Sequence, residues 1–161
     1  MTALAWIVGL LLPACGAAGA RGLPVPALMD MAHLQRPDRP NSALAAPAGT
    51  IPAPDIATPI YPLPAARLYD AVAAMAAAQP LTFLAATYPA ARQVHYVARS
   101  TWLNFPDLVT AQVDERGPEA SSLTLYSRSV YGYSDLGVNR RRLNAWLDAL
   151  QTKIDHTDER N

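Results

Sequence analysis

Hydrophobic patterning passes through three regimes along the chain. Residues 1–20 are apolar with no charged side chain, residues 21–64 break short apolar patches with prolines, and from residue 65 the apolar positions become periodic. In 65–78, Leu68, Val72 and Met75 recur at helical spacing in an alanine background. Gln79-Pro80 closes the run, which predicts a first helix. Strand-like runs follow at 81–88, 93–101, 108–114 and 122–129, bounded by turn residues such as Tyr88-Pro89, Asn104-Phe105-Pro106 and Gly117-Pro118. Connections this short make the strands antiparallel neighbours. Over 136–150, Leu136, Leu143, Trp146, Leu147 and Leu150 share one stripe of an amphipathic helix. The order helix, four strands, helix predicts an α+β domain over 65–161. Its expected form is two-layer: a four-stranded antiparallel sheet with both helices on one face and the other face left to solvent.

The stretch 21–64 holds ten of the fifteen prolines. Proline removes amide donors and biases each preceding residue to extended conformations, so 21–64 is expected to be a stiff, exposed, proline-rich linker. The segment 1–20 ahead of it has the composition of a membrane or export segment. Three versions stay open. A signal peptide cleaved after Ala18-Gly19-Ala20 lacks an early Lys or Arg. A lipoprotein signal would acylate Cys15 behind Leu12-Pro13-Ala14, with Pro13 out of pattern. An uncleaved spanning helix is weakened by Pro13 and the glycines.

Charge and reactive side chains narrow the chemistry. Thirteen basic residues balance thirteen acidic ones. A neutral chain lacks the electrostatic footprint for a nucleic acid, so none is expected as a partner. Cys15 is the sole cysteine, which excludes an internal disulfide and a cysteine-rich zinc site. His33, His95 and His156 lack metal-ligand spacing, so neither a metal nor a cofactor is expected. His95, in an apolar strand, reads as a satisfied structural histidine, and Trp102 and Trp146 as core or rim packing.

The densest feature is 127–142, Ser-Arg-Ser-Val-Tyr-Gly-Tyr-Ser-Asp-Leu-Gly-Val-Asn-Arg-Arg-Arg, where the last strand turns into the last helix. Together with Val97-Ala98-Arg99-Ser100, Phe105-Pro106-Asp107 and Arg39-Pro40-Asn41, it resembles the family catalogued as domain of unknown function 1499, over roughly 39–150. That resemblance implies no established activity. Val130 stands where the family often has a second arginine. The bacterial setting of the family implies the periplasmic side of the inner membrane.

On physical grounds, Ser134 or Asp135 is placed to cap the last helix, and Gly132 and Gly137 to take positive φ. Arg128 beside Asp135, and Arg99 beside Asp107, form two expected arginine-carboxylate pins between strands and helix. Alternatively the same arginines, Arg128 and Arg99, with Tyr131, Tyr133 and Asn139, build a shallow site for a polar or anionic group near the helix N-terminus, within a candidate binding or structural motif that also includes Asp107, Ser127, Asp135, Arg140 and Arg142. Arg140-Arg141-Arg142 cannot form one flat basic stripe, because successive helical residues point about 100° apart. No Gly-x-Ser-x-Gly turn supports a serine nucleophile, and no catalytic residue is assigned. The expected function is a non-enzymatic accessory or interaction module attached to a membrane through 1–20, with a membrane protein complex as its partner. The alternative is a small-ligand binding domain at the 127–142 junction.

Overall fold

The structure, a computed structural model, describes residues 19–23 and 27–158. The order is β1 (Ser42–Pro47), β2 (Ile56–Thr58), β3 (Ile60–Tyr61), α1 (Ala65–Ala77), β4 (Thr82–Tyr88), a 3-10 turn (Pro89–Ala91), β5 (Gln93–Arg99), β6 (Pro106–Gly117), β7 (Ala120–Ser129) and α2 (Val138–Asp158). The fold is α+β with two helices, as expected, but the sheet is mixed and has seven strands. The four predicted strands form its antiparallel half, β7-β6-β5-β4. Beyond them β1 pairs antiparallel with the end of β7, and β3 with its start. β2 runs parallel to β1 at the edge.

The three additional strands come from the stretch expected to be a linker, and that expectation is corrected. Its prolines bracket the strands: Pro40 and Pro47 delimit β1, Pro59 separates β2 from β3, and Pro62 and Pro64 precede α1. An interval free of proline keeps its amides, and β1 lies in one. Ala43 and Ala45 face the helices, Leu44 and Ala46 face the other way, and all four are buried. The Asp55 carboxylate accepts the Leu44 amide at 2.8 Å and pairs with Arg36 at 2.8 Å, closing the loop after β1.

One face of the sheet carries α1 and α2. Leu68, Val72 and Met75 of α1 and Leu143, Trp146, Leu150 and Ile154 of α2 pack on Tyr96, Val109 and Leu125. The Tyr96 and Trp146 rings meet edge to face, with centroids 5.7 Å apart. The expected stripe is corrected at its start. Leu136 has φ 52°, lies ahead of α2 and is exposed, while Ile154 extends the buried stripe past residue 150.

The opposite face is covered, contrary to expectation. Ala20 and Leu23 pack on Val97 and Leu108, and Met29, Met31 and Leu34 pack on Leu44 and Tyr126. The Gln93 side chain, itself buried, fixes this cover at one end of the sheet. Its Oε1 accepts the Met29 amide and its Nε2 donates to the Met29 carbonyl, both at 2.7 Å, so a side-chain amide replaces a strand partner. The anchor expected over 1–20 lies, up to residue 18, outside the described residues. No helix among the described residues is long and apolar enough to cross a membrane.

His95 lies buried on the covered face, with Nδ1 2.8 Å from Thr110 Oγ1 and the Tyr88 ring edge-on at 5.6 Å. Desolvation pushes its pKa below the ordinary 6.5, with the Ala27 backbone pulling the other way. A depressed histidine pKa means the unfolded chain takes up the proton first, so the associated stability is present above about pH 6.5 and lost as the pH falls through the folded-state value. Denaturant titrations from pH 8 to pH 5 should therefore show a steeper stability loss below about pH 6.5 in the wild type than in His95→Gln. Parallel curves would contradict the assignment.

Candidate functional site

The 127–142 junction is assembled from β7, the loop after it and the first turns of α2. Gly132 and Gly137 adopt φ of 93° and 78°, as the motif suggested. At Gly137 an added Cβ would also lie 3.2 Å from the Arg141 guanidinium. The loop turns Asp135 back onto the helix start. Its Oδ1 accepts the Gly137 amide at 3.0 Å and its Oδ2 the Asn139 amide at 2.7 Å. The carboxylate satisfies amides left open at the helix N-terminus and faces the positive end of its dipole. Asp135→Ala should lower unfolding free energy by about 1–2 kcal/mol, and a chemical denaturation midpoint equal to wild type would contradict the cap.

Below this cap lies a buried polar network. The Arg142 side chain reaches from α2 to Asp107 of β6 at 2.5 Å, with the two side chains only 12% and 7% exposed. Its other terminal nitrogen donates to Asn139 Oδ1 at 2.7 Å and to Ser127 Oγ at 3.1 Å. Asn139 is fully buried and donates through Nδ2 to the Asn41 carbonyl at 3.0 Å and to Ser129 Oγ at 3.1 Å. Asn41 in turn donates to the Gly132 carbonyl at 3.1 Å, and Pro40 accepts the Asp135 amide at 3.2 Å. One network thus ties the chain leading into β1, the start of β6, the end of β7 and the start of α2.

The members of the two expected arginine-carboxylate pairs take other partners. Asp107 pairs with Arg142, and Arg99 donates through Nε to the Gly19 carbonyl at 2.8 Å and through Nη1 to the Asn104 carbonyl at 3.0 Å. Asp135 is engaged with amides, while Arg128, half-buried on β7, lies in register with Ser42 and Leu108. The difference follows strand alternation: Arg128 and Arg99 belong to the covered face, whereas Ser127 and Asp107 meet α2. The three consecutive arginines diverge as the helical geometry requires. Arg140 reaches the Asp55 carbonyl at 3.3 Å, Arg141 the Leu136 carbonyl at 3.0 Å, and Arg142 enters the network. Tyr133 is exposed. Sequence reasoning missed Asn41 as a member, although its motif was visible. It lies 98 positions from Asn139, and nothing local marks that contact.

Most polar atoms of the network are paired, while Asn41 Oδ1 is buried with no hydrogen-bond partner among the described residues. Ser127 donates to Asn139 Oδ1 at 2.5 Å, so its hydroxyl is a spacer between strand and helix rather than a nucleophile. Among the described residues no group of three or more His, Cys, Asp or Glu side chains could hold a metal ion. A cleft of about 820 Å³ lies between α1 and β4, floored by Tyr96 and Val94, with Tyr69, Ala73, Phe83 and Leu84 in its walls. Alanines on this side of α1 leave space where larger side chains would fill the layer.

The family model described as "Protein of unknown function (DUF1499)" matches residues 34–150. No curated protein matches the sequence. Among solved structures, the chain is similar to the di-domain ARO/CYC BexL from the BE-7585A biosynthetic pathway, at 15% identity and a TM-score of 0.46. The match covers 60% of this chain and 44% of that one, so this chain spans less than half the length of that neighbour.

Proposed function

The chain belongs to the DUF1499 family of proteins of unknown function, and from that premise we propose that it is a membrane-attached, non-enzymatic interaction module that works beside a membrane protein complex, on the periplasmic side of the inner membrane. The observation that carries this reading is where the uncharged apolar residues 1–18 join the fold. They lead into Gly19, whose carbonyl is fastened by Arg99 at one end of the sheet. The junction that dominates the sequence supports the same reading: Ser127, Asn139, Asp107 and Arg142 are bonded to one another and Asp135 to backbone amides, so these side chains are engaged in holding strand and helix together.

A second reading, a ligand-binding domain, draws on the α1 and β4 cleft rather than on the 127–142 junction. The lining is mainly alanine, aromatic and leucine side chains, so the ligand class it favours is apolar and not the anionic one suggested by the arginines. Native purification from detergent-treated membranes, paired with thermal unfolding across a panel of metabolites and fatty acids, separates the two. The module reading predicts a defined membrane protein in stoichiometric amount and no thermal shift. A ligand present at a hundred times its dissociation constant would instead add about 2.7 kcal/mol, and that result would overturn it.

A further inference from the structure

The end of the sheet at which Gly19 enters gathers several strongly exposed apolar side chains, while Ile51, 81% exposed, stands alone on the loop after β1. The β5–β6 loop and the β7–α2 loop leave this end side by side, since Pro106 stands between Arg99 and Val130, pairing with the first and accepting the amide of the second at 3.2 Å. Trp102 is 94% exposed and Leu103 65% on the first loop; Leu136 is 83% exposed and Tyr133 69% on the second. Leu81, also exposed, joins them because its carbonyl accepts the Arg99 amide at 2.9 Å. Scattered exposed leucines need no explanation, but a tryptophan, a tyrosine and several leucines projecting from one end do. Trp102 was expected to pack, and it is instead almost fully exposed.

Charge sharpens the reading. Residues 100–106 carry no charged side chain, and the one acid in 130–138, Asp135, is turned inward to backbone amides. Cations stand around the apolar tip. Arg21 is exposed two residues after Gly19, Arg39 is exposed where the chain leads into β1, and Arg141 holds the Leu136 carbonyl at 3.0 Å; Asp38 beside Arg39 is the opposing charge. Tryptophan, tyrosine and leucine at the tip with arginine behind them is the arrangement of a surface that seats in the headgroup layer, where indole and phenol rings settle and guanidinium groups meet lipid phosphates.

We infer that this end of the domain, led by Trp102, Leu103, Tyr133 and Leu136, seats in the surface of an anionic lipid bilayer and so fixes the orientation of the domain. The inference deepens the membrane-attachment reading and rests on it. Gly19, the residue that follows 1–18 in the sequence, lies at this same end and not at the β6–β7 turn opposite, so attachment through 1–18 favours these loops as the membrane-facing end.

The test uses the full chain with Trp6→Phe, which leaves Trp102 and the buried Trp146 as emitters. Flotation with vesicles containing phosphatidylglycerol reports attachment. Quenching by brominated acyl chains, taken as the difference between this chain and the same chain with Trp102→Phe, reports the position of Trp102. The expected result is flotation of both chains, with a blue shift and loss of most of the Trp102 emission in brominated vesicles. Flotation with a Trp102 emission that stays red-shifted and unquenched overturns the orientation while leaving attachment intact. Failure to float overturns both. A blue shift that follows protein concentration without lipid would mean that a second copy covers this end, and also overturns the inference.

Discussion

Asp107→Ala is expected to lower the unfolding free energy by about 3–5 kcal/mol, because it leaves the Arg142 guanidinium buried without its counter-ion. The two side chains lie almost wholly out of solvent, so the attraction is little screened and the loss is not compensated by water. Arg142→Ala should cost a similar amount and also release Ser127 and Asn139 from their common donor. Replacing both members by leucine should recover part of the loss, since an apolar pair carries no desolvation cost, though Asn139 Oδ1 would keep Ser127 as a donor and lose Arg142. Urea titration of the two single variants and the double variant reads all three values. Single variants within about 0.5 kcal/mol of wild type would mean that the pair is solvent-accessible and free to bind something else.

The second large effect falls in the proline-rich stretch. Leu44→Ala should destabilise by about 2–5 kcal/mol, the range for truncating a buried leucine. Leu44 is fully enclosed between the sheet and Met31, with Tyr126 beside it. In a solvent-exposed linker the same change would fall within about 0.5 kcal/mol of wild type. Limited proteolysis gives a parallel readout. A linker would be cleaved rapidly between residues 40 and 60, whereas β1, hydrogen-bonded to β7 on one side and β2 on the other, should be protected until the domain unfolds.

These two predictions mark where the chain could be read and where it could not. The helix carrying Leu68, Val72 and Met75 and the four strands from β4 to β7 were legible, since their periodicity expresses a single core face and their turns are local. β1 was hidden by the sequence Ser-Ala-Leu-Ala-Ala-Pro, in which alanine has little strand preference of its own. What stabilises it is burial on both faces, where small side chains let the helices and the N-terminal cover approach closely. The solvent face predicted for the sheet failed for the same reason: the cover that includes Met29, Met31 and Leu34 has no regular period, and it is held by Gln93, a contact across 64 positions.

At the junction, the Asp135 cap was legible because capping is a matter of a few residues. The choice of Arg142 over Arg99 as the partner of Asp107 was not, because it depends on which face of β6 meets α2. The same dependence separates Trp146, buried in the core, from Trp102, equally apolar in sequence and left bare on a loop.

Membrane partition of the full chain after a carbonate wash tests the account most directly, with Cys15→Ala run beside it. The wild-type chain is expected to stay with the membrane pellet, held by burial of the apolar block in 1–18 or by acyl chains on Cys15. If a helix is the anchor, Cys15→Ala stays as well; if acylation is, the variant accumulates as an unprocessed precursor. Quantitative recovery of the wild-type chain in the soluble fraction would contradict membrane attachment.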